Sequence, residues 1–320
     1  VTVENEKATN GTGEYKIHVL KSPPVAALFE LQPAGAVLAV YETMSGQRLW
    51  TDENGKFQLC EGYDYAYALT CYGYVSKSGI LSVTRDEQER LIVRDGDQIH
   101  IVQESEAGGE VAILWELVQA EVNPAIRTDL TSEWSNFRGN EDNNALTDAK
   151  IPYGAEEGTL YWANKIGNGI DSDAVGSPIL VDGDLITYAG DKIYRVDTVS
   201  GLVKRTGTMD HKSSFSITPP TYAEGMVFVA LSNGTVQAFN ADTLESVWLY
   251  KDPLGGQPNS PLTVHNGYLY TGFWNSETNN ANFVCLSITD EDPTQSKENK
   301  CASWYHTAAG GYYWAGAYAC

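Results

Sequence analysis

The strongest constraint on the fold is a repeat of about 42 residues in the second half of the chain. Each copy has a turn glycine, an apolar strand after it and a second strand further on. The glycines are Gly183, Gly225 and Gly267, and the prolines that precede them are Pro178, Pro220 and Pro261. A unit of this size has room for four short strands and cannot bury both of its faces alone. The repeat therefore predicts stacked, four-stranded antiparallel sheets.

Each repeat ends in a strand that carries a large side chain at one position. This position holds Trp162, Trp248 and Trp304, and Arg205 occupies it in the remaining unit. We expect the tryptophans to pack between neighbouring sheets as structural anchors, so that their removal opens a sizeable cavity. The last unit is longer than the others, and insertions near residues 275–282 and 290–300 account for the difference.

The repeat resembles that of the PQQ-like (quinoprotein-type) β-propellers. In that family an aliphatic residue and Tyr lead to Leu-Asp, then to Thr-Gly, and to Trp a few residues on. This chain has IYRVDTVSG at residues 193–201 and VQAFNADTLESVW at residues 236–248, and residues 134–140 resemble the segment that leads into such propellers. The resemblance covers residues 131–320 and implies four-stranded propeller blades. About three units fit, with the start of a fourth at residues 312–317, so we expect an incomplete propeller.

A different pattern occupies residues 21–106. The alternation of Tyr63, Tyr65, Tyr67 and Leu69 puts these side chains on one face of a strand, where core packing is the expected role. The order of strands and turns resembles the small carboxypeptidase-regulatory-like and PEGA-type β-sandwiches. This resemblance implies an Ig-like or transthyretin-like spacer or adhesion module without catalysis.

The flanking segments complete the predicted domain organisation. Residues 1–20 resemble the last hairpin of the cadherin-like sandwich repeats of Gram-positive surface proteins. Residues 107–130 are interpreted as a linker, although residues 110–122 could form a helix or a strand. The whole chain is thus predicted to be all-β, a small β-sandwich followed by a partial β-propeller.

Charge and hydropathy exclude several classes of partner. The chain has 42 acidic and 21 basic residues, a net charge of −21. The resulting negative electrostatic potential repels nucleic acid, which binds proteins through cationic neutralisation of its phosphates. It also disfavours binding to anionic lipid. No apolar run approaches the roughly 18 residues of a membrane helix, so we expect no membrane insertion. Acidity and resemblance together predict a secreted or cell-surface protein.

Few residues offer metal or quinone chemistry. Active members of the resembled family carry adjacent cysteines, whereas no two of the five cysteines here are adjacent. The pairs Asp171/Asp173 and Asp182/Asp184 could suggest calcium, but they lack the loop pattern of a calcium site and are interpreted as turn residues. We expect no metal and no cofactor.

Nucleophilic catalysis has equally little support. The five histidines lie outside hydrolase and metalloprotease motifs, and Ser213-Ser214 near His211 is the closest approach to a nucleophile with a base. We therefore predict that the protein is not an enzyme. Cys285 and Cys301 could pair across neighbouring strands, whereas Cys60 and Cys71 are expected to lie too far apart.

Two functions from different classes remain. The first is an adhesion module or protein-interaction scaffold, whose partner is a protein or glycan on a host or neighbouring cell. The second is a carbohydrate-binding module that would use exposed aromatic side chains, namely Trp274, Tyr312, Tyr313 and Trp314. An assembly scaffold like the propeller lipoproteins of outer-membrane biogenesis is disfavoured by the preceding sandwich. A quinone-dependent dehydrogenase is the least favoured alternative.

Overall fold

The structure is a computed structural model that describes residues 2–6, 14–18, 23–140, 144–150, 153–169, 173–213 and 218–318. The chain forms two compact units. The first comprises Val1–Thr70 and Ser76–Leu117, and the second comprises Cys71–Val75 and Val118–Cys320. Within the described ranges, no helix is long and apolar enough to cross a membrane.

The first unit begins with an isolated two-stranded antiparallel sheet. Strand β1 spans Thr2–Glu6 and strand β2 spans Glu14–His18, with Thr2 opposite His18. The hairpin predicted near the start of the chain is thus present. Its place at the end of a preceding sandwich stays a prediction.

Two further sheets enclose one core in the first unit. Their strands are β3 Val25–Gln32, β4 Val37–Glu42, β5 Arg48–Leu49, β6 Lys56–Leu59, β7 Asp64–Thr70, β8 Lys77–Arg85, β9 Leu91–Asp95, β10 Gln98–Ile101, β11 Gln103–Ser105 and β12 Gly108–Glu116. One sheet has the order β10-β9-β8-β7-β4-β5 and the other β11-β12-β3-β6. Tyr65, Tyr67 and Leu69 are buried between them, as their alternation along β7 predicts.

The sandwich extends further along the chain than residue 106. Strand β12 pairs in parallel with β3 along nearly its whole length, from Gly109 opposite Val25 onward. Its side chains alternate between core and solvent, and Trp115 stacks on Tyr67 with ring centroids 4.5 Å apart. The predicted linker over residues 107–130 is corrected here, because its first part is this strand. A period of two, rather than a helical period, explains the outcome.

The described part of the second unit contains three mainly antiparallel sheets, which we call blades 1, 2 and 3. Blade 1 consists of β13 Ile179–Val181, β14 Asp184–Ala189, β15 Lys192–Asp197 and β16 Val203–Thr208. Blade 2 consists of β17 Thr221–Ala223, β18 Met226–Leu231, β19 Thr235–Asn240 and β20 Ser246–Lys251. Blade 3 consists of β21 Thr263–His265, β22 Tyr268–Gly272, β23 Asn280–Ser287 and β25 Trp304–Ala309.

Two short elements lie outside this pattern. A single turn of 3-10 helix spans Ala155–Glu157. Strand β24, Glu298–Asn299, lies in the insertion of blade 3 but pairs in parallel with β20, the outer strand of blade 2. The predicted four-stranded blades are therefore present, and the insertion adds a fifth strand to the middle one.

The repeated glycine occupies the same turn in each blade. Gly183, Gly225 and Gly267 join the first strand to the second, with φ of 76°, 78° and 77°. The residue before each glycine also has positive φ. Two such residues in succession form the tight hairpin turn that suits the twist of antiparallel strands, and glycine adopts this conformation without strain.

Blade 2 is covered on both faces. Val227, Val229 and Phe239 lie in one core with residues of blade 1, whereas Phe228 and Val236 lie in another core with residues of blade 3. Every residue of β18 and β19 is buried. This packing explains why the strands of the repeat are apolar on both sides.

Trp248 joins blade 2 to blade 3. Its side chain is fully buried, and its indole Nε1–H donates a hydrogen bond to the carbonyl of Ile288, 3.2 Å away. Trp162 makes the equivalent bond to Thr198 in blade 1, at 2.9 Å, and its ring lies against Gly201. Trp162 lies outside the described strands, in contrast to the strand predicted there. Trp304 begins β25 and is half-buried.

Arg205 does not replace the tryptophan between blades 1 and 2. Its guanidinium is exposed and bonds to the adjacent carbonyl of Lys204. Its cross-strand neighbour Arg195 is 5% exposed and donates to the carbonyl of Ala241, which corresponds to that of Ile288 in blade 3. Arg195 also pairs with Asp184 at 2.7 Å and with Asp242 at 2.9 Å. The anchoring contact is therefore made one strand further inward than the sequence alignment of repeats predicts.

Disulfide bonds do not hold the described part of either unit. Cys60, Cys71, Cys285 and Cys301 are all outside disulfide bonds. The possible pairing of Cys285 with Cys301 is not formed, and Cys320 lies outside the described residues.

We expect the substitution Trp248→Ala to lower the free energy of unfolding of the second unit by about 3–5 kcal/mol, because it leaves a large cavity between two blades. Trp50, which is 71% exposed, provides the matched control, and Trp50→Ala should cost less than about 1 kcal/mol. Urea denaturation followed by circular dichroism measures both. A cost below about 1 kcal/mol for Trp248→Ala would contradict the anchoring role.

The two cross-strand arginines should differ in their effect on stability. Arg195→Met breaks a buried ion pair and leaves the carboxylate of Asp184 with Lys204 alone, so we expect a loss of about 3 kcal/mol. Arg205→Met removes an exposed charge and should cost less than about 1 kcal/mol. The same denaturation experiment compares them, and equal losses would show that Arg195 has no special role.

Candidate functional site

Three of the four aromatic residues proposed to contact a ligand lie together at one edge of blade 3. The ring centroids of Trp274 and Tyr313 are 5.5 Å apart, and those of Tyr313 and Trp314 are 4.6 Å apart. Tyr313 is 46% exposed and Trp314 is 60% exposed, whereas Trp274 is half-buried. We call these three residues the aromatic cluster.

Tyr312 is the fourth predicted residue, and the structure separates it from the cluster. Its ring packs edge-on against Phe283, with the centroids 5.2 Å apart, and its hydroxyl donates to the carbonyl of His306 at 3.0 Å. Burial raises the pKa of the Tyr312 hydroxyl. Tyr312 therefore belongs to the packing of blade 3 rather than to the exposed cluster.

Backbone hydrogen bonds fix the position of Trp274. It follows β22, and its N–H and carbonyl both bond to the backbone of Gln257, at 2.9 and 2.7 Å. The side chain of Asn275 donates to the carbonyls of Leu254 and Asn280 and so holds the next loop in place. The cluster is built on a rigid support.

A double-glycine turn brings the other two aromatic residues beside Trp274. Gly310 and Gly311 follow β25 with φ of 77° and 62°. A Cβ on Gly311 would lie 2.6 Å from the carbonyl oxygen of Phe273, so only glycine permits this close approach. The N–H of Trp314 then donates to the carbonyl of Asn259.

The segment after the cluster repeats a contact seen between blades 2 and 3. The hydroxyl of Thr221 donates to the carbonyl of Leu262, and the hydroxyl of Thr263 donates to the carbonyl of Ala317 at 2.9 Å. Ala317 thus lies beside blade 3 as Leu262, just before β21, lies beside blade 2. This placement agrees with the start of a fourth unit predicted at residues 312–317, although the described residues there form no strand.

The residues considered for nucleophilic chemistry have structural partners. The hydroxyl of Ser213 is buried and donates to the carbonyl of Ala174 at 2.7 Å, while His211 is exposed. Ser214 lies outside the described residues. The hydroxyl of Ser213 is thus bonded to a backbone carbonyl and not to His211.

At least one residue of each acidic pair considered for calcium has a polar partner. Asp184 is paired with Arg195 and Lys204, and Asp173 accepts a hydrogen bond from Asn168. Asp171 lies outside the described residues. Across the described ranges, no group of three or more His, Cys, Asp or Glu side chains is arranged to hold a metal ion.

The structure also contains an apolar pocket that the sequence did not predict. It has a volume of about 680 Å³ and lies between residues 162–167 and the face of blade 1 formed by Leu185 and Val196. The corresponding face of blade 2, with Val227 and Phe239, is covered by blade 1. The pocket is therefore an incompletely filled blade interface, and the apolar face of β14 was its sequence signal.

Comparison with protein families shows that the repeat is PQQ-like. Residues 147–278 match the family described as outer membrane protein assembly factor BamB, whose repeats are PQQ-like. This range contains blades 1 and 2 and the start of blade 3. Comparison with curated proteins gives no match.

Several solved structures are similar to parts of the chain. A quinohemoprotein alcohol dehydrogenase from Pseudomonas putida HK5 is 17% identical, with 55% of this chain and 26% of that chain covered and a TM-score of 0.43. A europium-containing methanol dehydrogenase is 14% identical, with 55% and 32% covered and a TM-score of 0.41. BamB from Moraxella catarrhalis is 10% identical, with 88% and 76% covered and a TM-score of 0.32. The matched region thus spans about a quarter to a third of the two dehydrogenases.

Substitution of the double-glycine turn tests how the cluster is positioned. Gly311→Ala adds a steric collision to a left-handed backbone and should lower the free energy of unfolding by about 1–3 kcal/mol. It should also change the near-ultraviolet circular dichroism of the aromatic residues. Gly310→Ala is the matched control, because its backbone is also left-handed but its nearest neighbour, the carbonyl oxygen of Glu277, is 3.3 Å away. Identical spectra and stabilities for the two variants would argue against the close approach at Gly311.

Proposed function

We propose that this chain, whose residues 147–278 carry the PQQ-like propeller repeat, is a non-catalytic protein-interaction scaffold displayed outside the cytoplasm. The observation that carries the proposal is the aromatic cluster, in which Tyr313 and Trp314 are about half exposed while they contact each other. Contiguous exposed aromatic surface is uncommon on soluble proteins and marks interaction sites. Tryptophan and tyrosine are also enriched among the residues that contribute most to protein binding.

The family match supports a scaffold of this kind. Its description names an assembly factor, which acts through contacts with other proteins, and an outer membrane, which lies outside the cytoplasm. The net charge of −21 fits an exported protein that must stay soluble. Adhesion to a host or neighbouring cell and attachment to a Gram-positive surface are finer parts of the proposal, and they rest on the sequence resemblances of residues 1–106 and not on this family match.

The packing of the polar side chains supports a role without catalysis. The hydroxyl of Ser213 is bonded to a backbone carbonyl, and the carboxylate of Asp184 is neutralised by two cations. A nucleophile or base committed in this way must break its contacts before it can react.

Carbohydrate binding is the second candidate, and the geometry of the cluster favours it specifically. The rings of Trp274 and Tyr313 are inclined by 39°, and the planes of Tyr313 and Trp314 by 61°. The C–H groups of a sugar ring can stack against the exposed parts of Tyr313 and Trp314, which are 46% and 60% exposed. Here the ligand would be a glycan on the partner cell instead of a protein.

Parallel binding screens distinguish the two candidates. The full chain is applied to an array of purified extracellular proteins and to a glycan array, and the affinity of each hit is measured by surface plasmon resonance. The double substitution Tyr313→Ala/Trp314→Ala should weaken binding to a protein target by at least about 30-fold, or about 2 kcal/mol.

The control is Trp50→Ala, which removes an exposed tryptophan of the first unit and should leave the affinity unchanged. Both variants should keep the wild-type free energy of unfolding within about 1 kcal/mol. Cluster-dependent binding to a glycan alone would establish the second candidate. Hits that do not depend on the cluster, or no hits on either array, would contradict the assignment of the cluster as the binding surface.

A further inference from the structure

The insertion of blade 3, residues 290–300, forms one wall of a second pocket in the second unit. The pocket has a volume of about 630 Å³. Its other walls are the outer strand β16 of blade 1, the turn between β19 and β20 of blade 2, and residues 123–125. Three parts of the repeat and a segment that precedes them therefore meet at this site.

The insertion is held firmly against blade 2. Glu298 pairs with Trp248 through β24, and the N–H of Lys300 donates to the carbonyl of Leu249 at 2.7 Å. The side chain of Lys300 is fully buried, where its ammonium donates to the carbonyl of Thr289 at 2.7 Å and pairs with Glu291. The pocket wall is thus a fixed part of the structure.

Asp290 supplies a buried carboxylate to this pocket. It is 8% exposed, and its Oδ2 accepts a hydrogen bond from the side-chain amide of Asn123 at 2.7 Å. Its Oδ1 is buried and has no hydrogen-bond donor within the described part of the chain. A buried carboxylate oxygen without a donor is costly, because burial removes its hydration without replacing it. Burial also raises the pKa of Asp290.

The other charges around the pocket compensate this carboxylate only in part, because the charge of Lys300 favours the ionised form but burial outweighs it and the pKa of Asp290 stays raised. Glu245 adds a second acid to the lining. Lys297 also lines the pocket, but its ammonium lies 3.7 Å from Asp210, and the ammonium of Lys300 is bonded to Thr289 and Glu291. A positively charged donor that reaches this carboxylate would satisfy both its unfilled hydrogen-bonding position and the local negative charge.

We infer that this pocket binds the ammonium or guanidinium group of a basic side chain on a protein partner, with Asp290 Oδ1 as the acceptor. The inference rests on the proposed function as a protein-interaction scaffold and adds a chemical class to the partner. It assigns recognition of a basic residue to the insertion, which lies outside the aromatic cluster. The two sites can be tested separately.

The direct test is an NMR titration of the full chain with Nα-acetyl-lysine N-methylamide and its arginine counterpart. We expect saturable shifts of the backbone amides at Asn123, Ala125, Gly207 and Asp290, and none with the uncharged norleucine derivative. Asp290→Asn should weaken binding by about tenfold or more. Asp191→Asn, which removes an exposed acid outside the pocket, should change the affinity by less than about twofold.

The remaining arms identify the ligand class. Tighter binding of the lysine or arginine derivative than of n-butylamine supports the inference that the ligand is a side chain of a protein. Equal binding would assign the pocket to free amines and overturn the inference of a protein partner. Asp290-dependent binding of an uncharged methyl glucoside in place of the basic probes would also overturn the inference, as would unlocalised shifts in the wild type. The latter outcome needs no variant and applies even if Asp290→Asn fails to fold.

The aromatic-cluster variant Tyr313→Ala/Trp314→Ala should bind the lysine probe as the wild type does. Loss of macromolecular binding in that variant, with lysine binding retained, supports two independent sites. Retained macromolecular binding together with absent lysine binding would reject the pocket and the cluster at once. Failure of the pocket alone leaves the cluster-dependent binding intact, so the two failures are distinguishable.

Discussion

Burial of both faces of blade 2 is the constraint on which the second unit depends. A four-stranded sheet has two surfaces, and along β18 and β19 neither surface is exposed to solvent. Blades 1 and 3 supply the covering surfaces, and each interface is completed by one side chain that reaches a backbone carbonyl of the next blade. Trp248 does this with an indole and Arg195 with a guanidinium. The repeat is therefore stable through its neighbours rather than within each copy.

Part of this fold could be predicted because its determinants are local. Each turn glycine is required by the local backbone conformation, and Trp248 is required by the space that its side chain fills. Residues of both kinds therefore recur at a regular spacing in the sequence. The role of Arg195 could not be predicted, because it depends on which residue lies opposite Arg205 once the strands have paired. Strand β12 could not be decided against a helix for a similar reason, since its partner β3 is more than 80 residues away.

The candidate sites show the same division. Four aromatic residues could be singled out from composition and spacing, but the separation of Tyr312 from Tyr313 follows from the direction of the turn at Gly310 and Gly311. The insertion of blade 3 was visible as extra length. The buried state of Asp290 was not, because it depends on Asn123, which lies 167 residues earlier in the chain. Long-range contacts decide which polar residues become buried.

Strand β24 gives the propeller an uneven architecture. It starts from blade 3 but is hydrogen-bonded to blade 2, so these two blades share a strand as well as an interface. Blades 1 and 2 share no strand among the described residues. They are instead joined by residues 134–135, because the carbonyl of Trp134 accepts from Leu180 of blade 1 and that of Ser135 accepts from Tyr222 of blade 2. A force that pulls the blades apart would therefore meet backbone hydrogen bonds at both interfaces, supplied in each case by a segment from elsewhere in the chain.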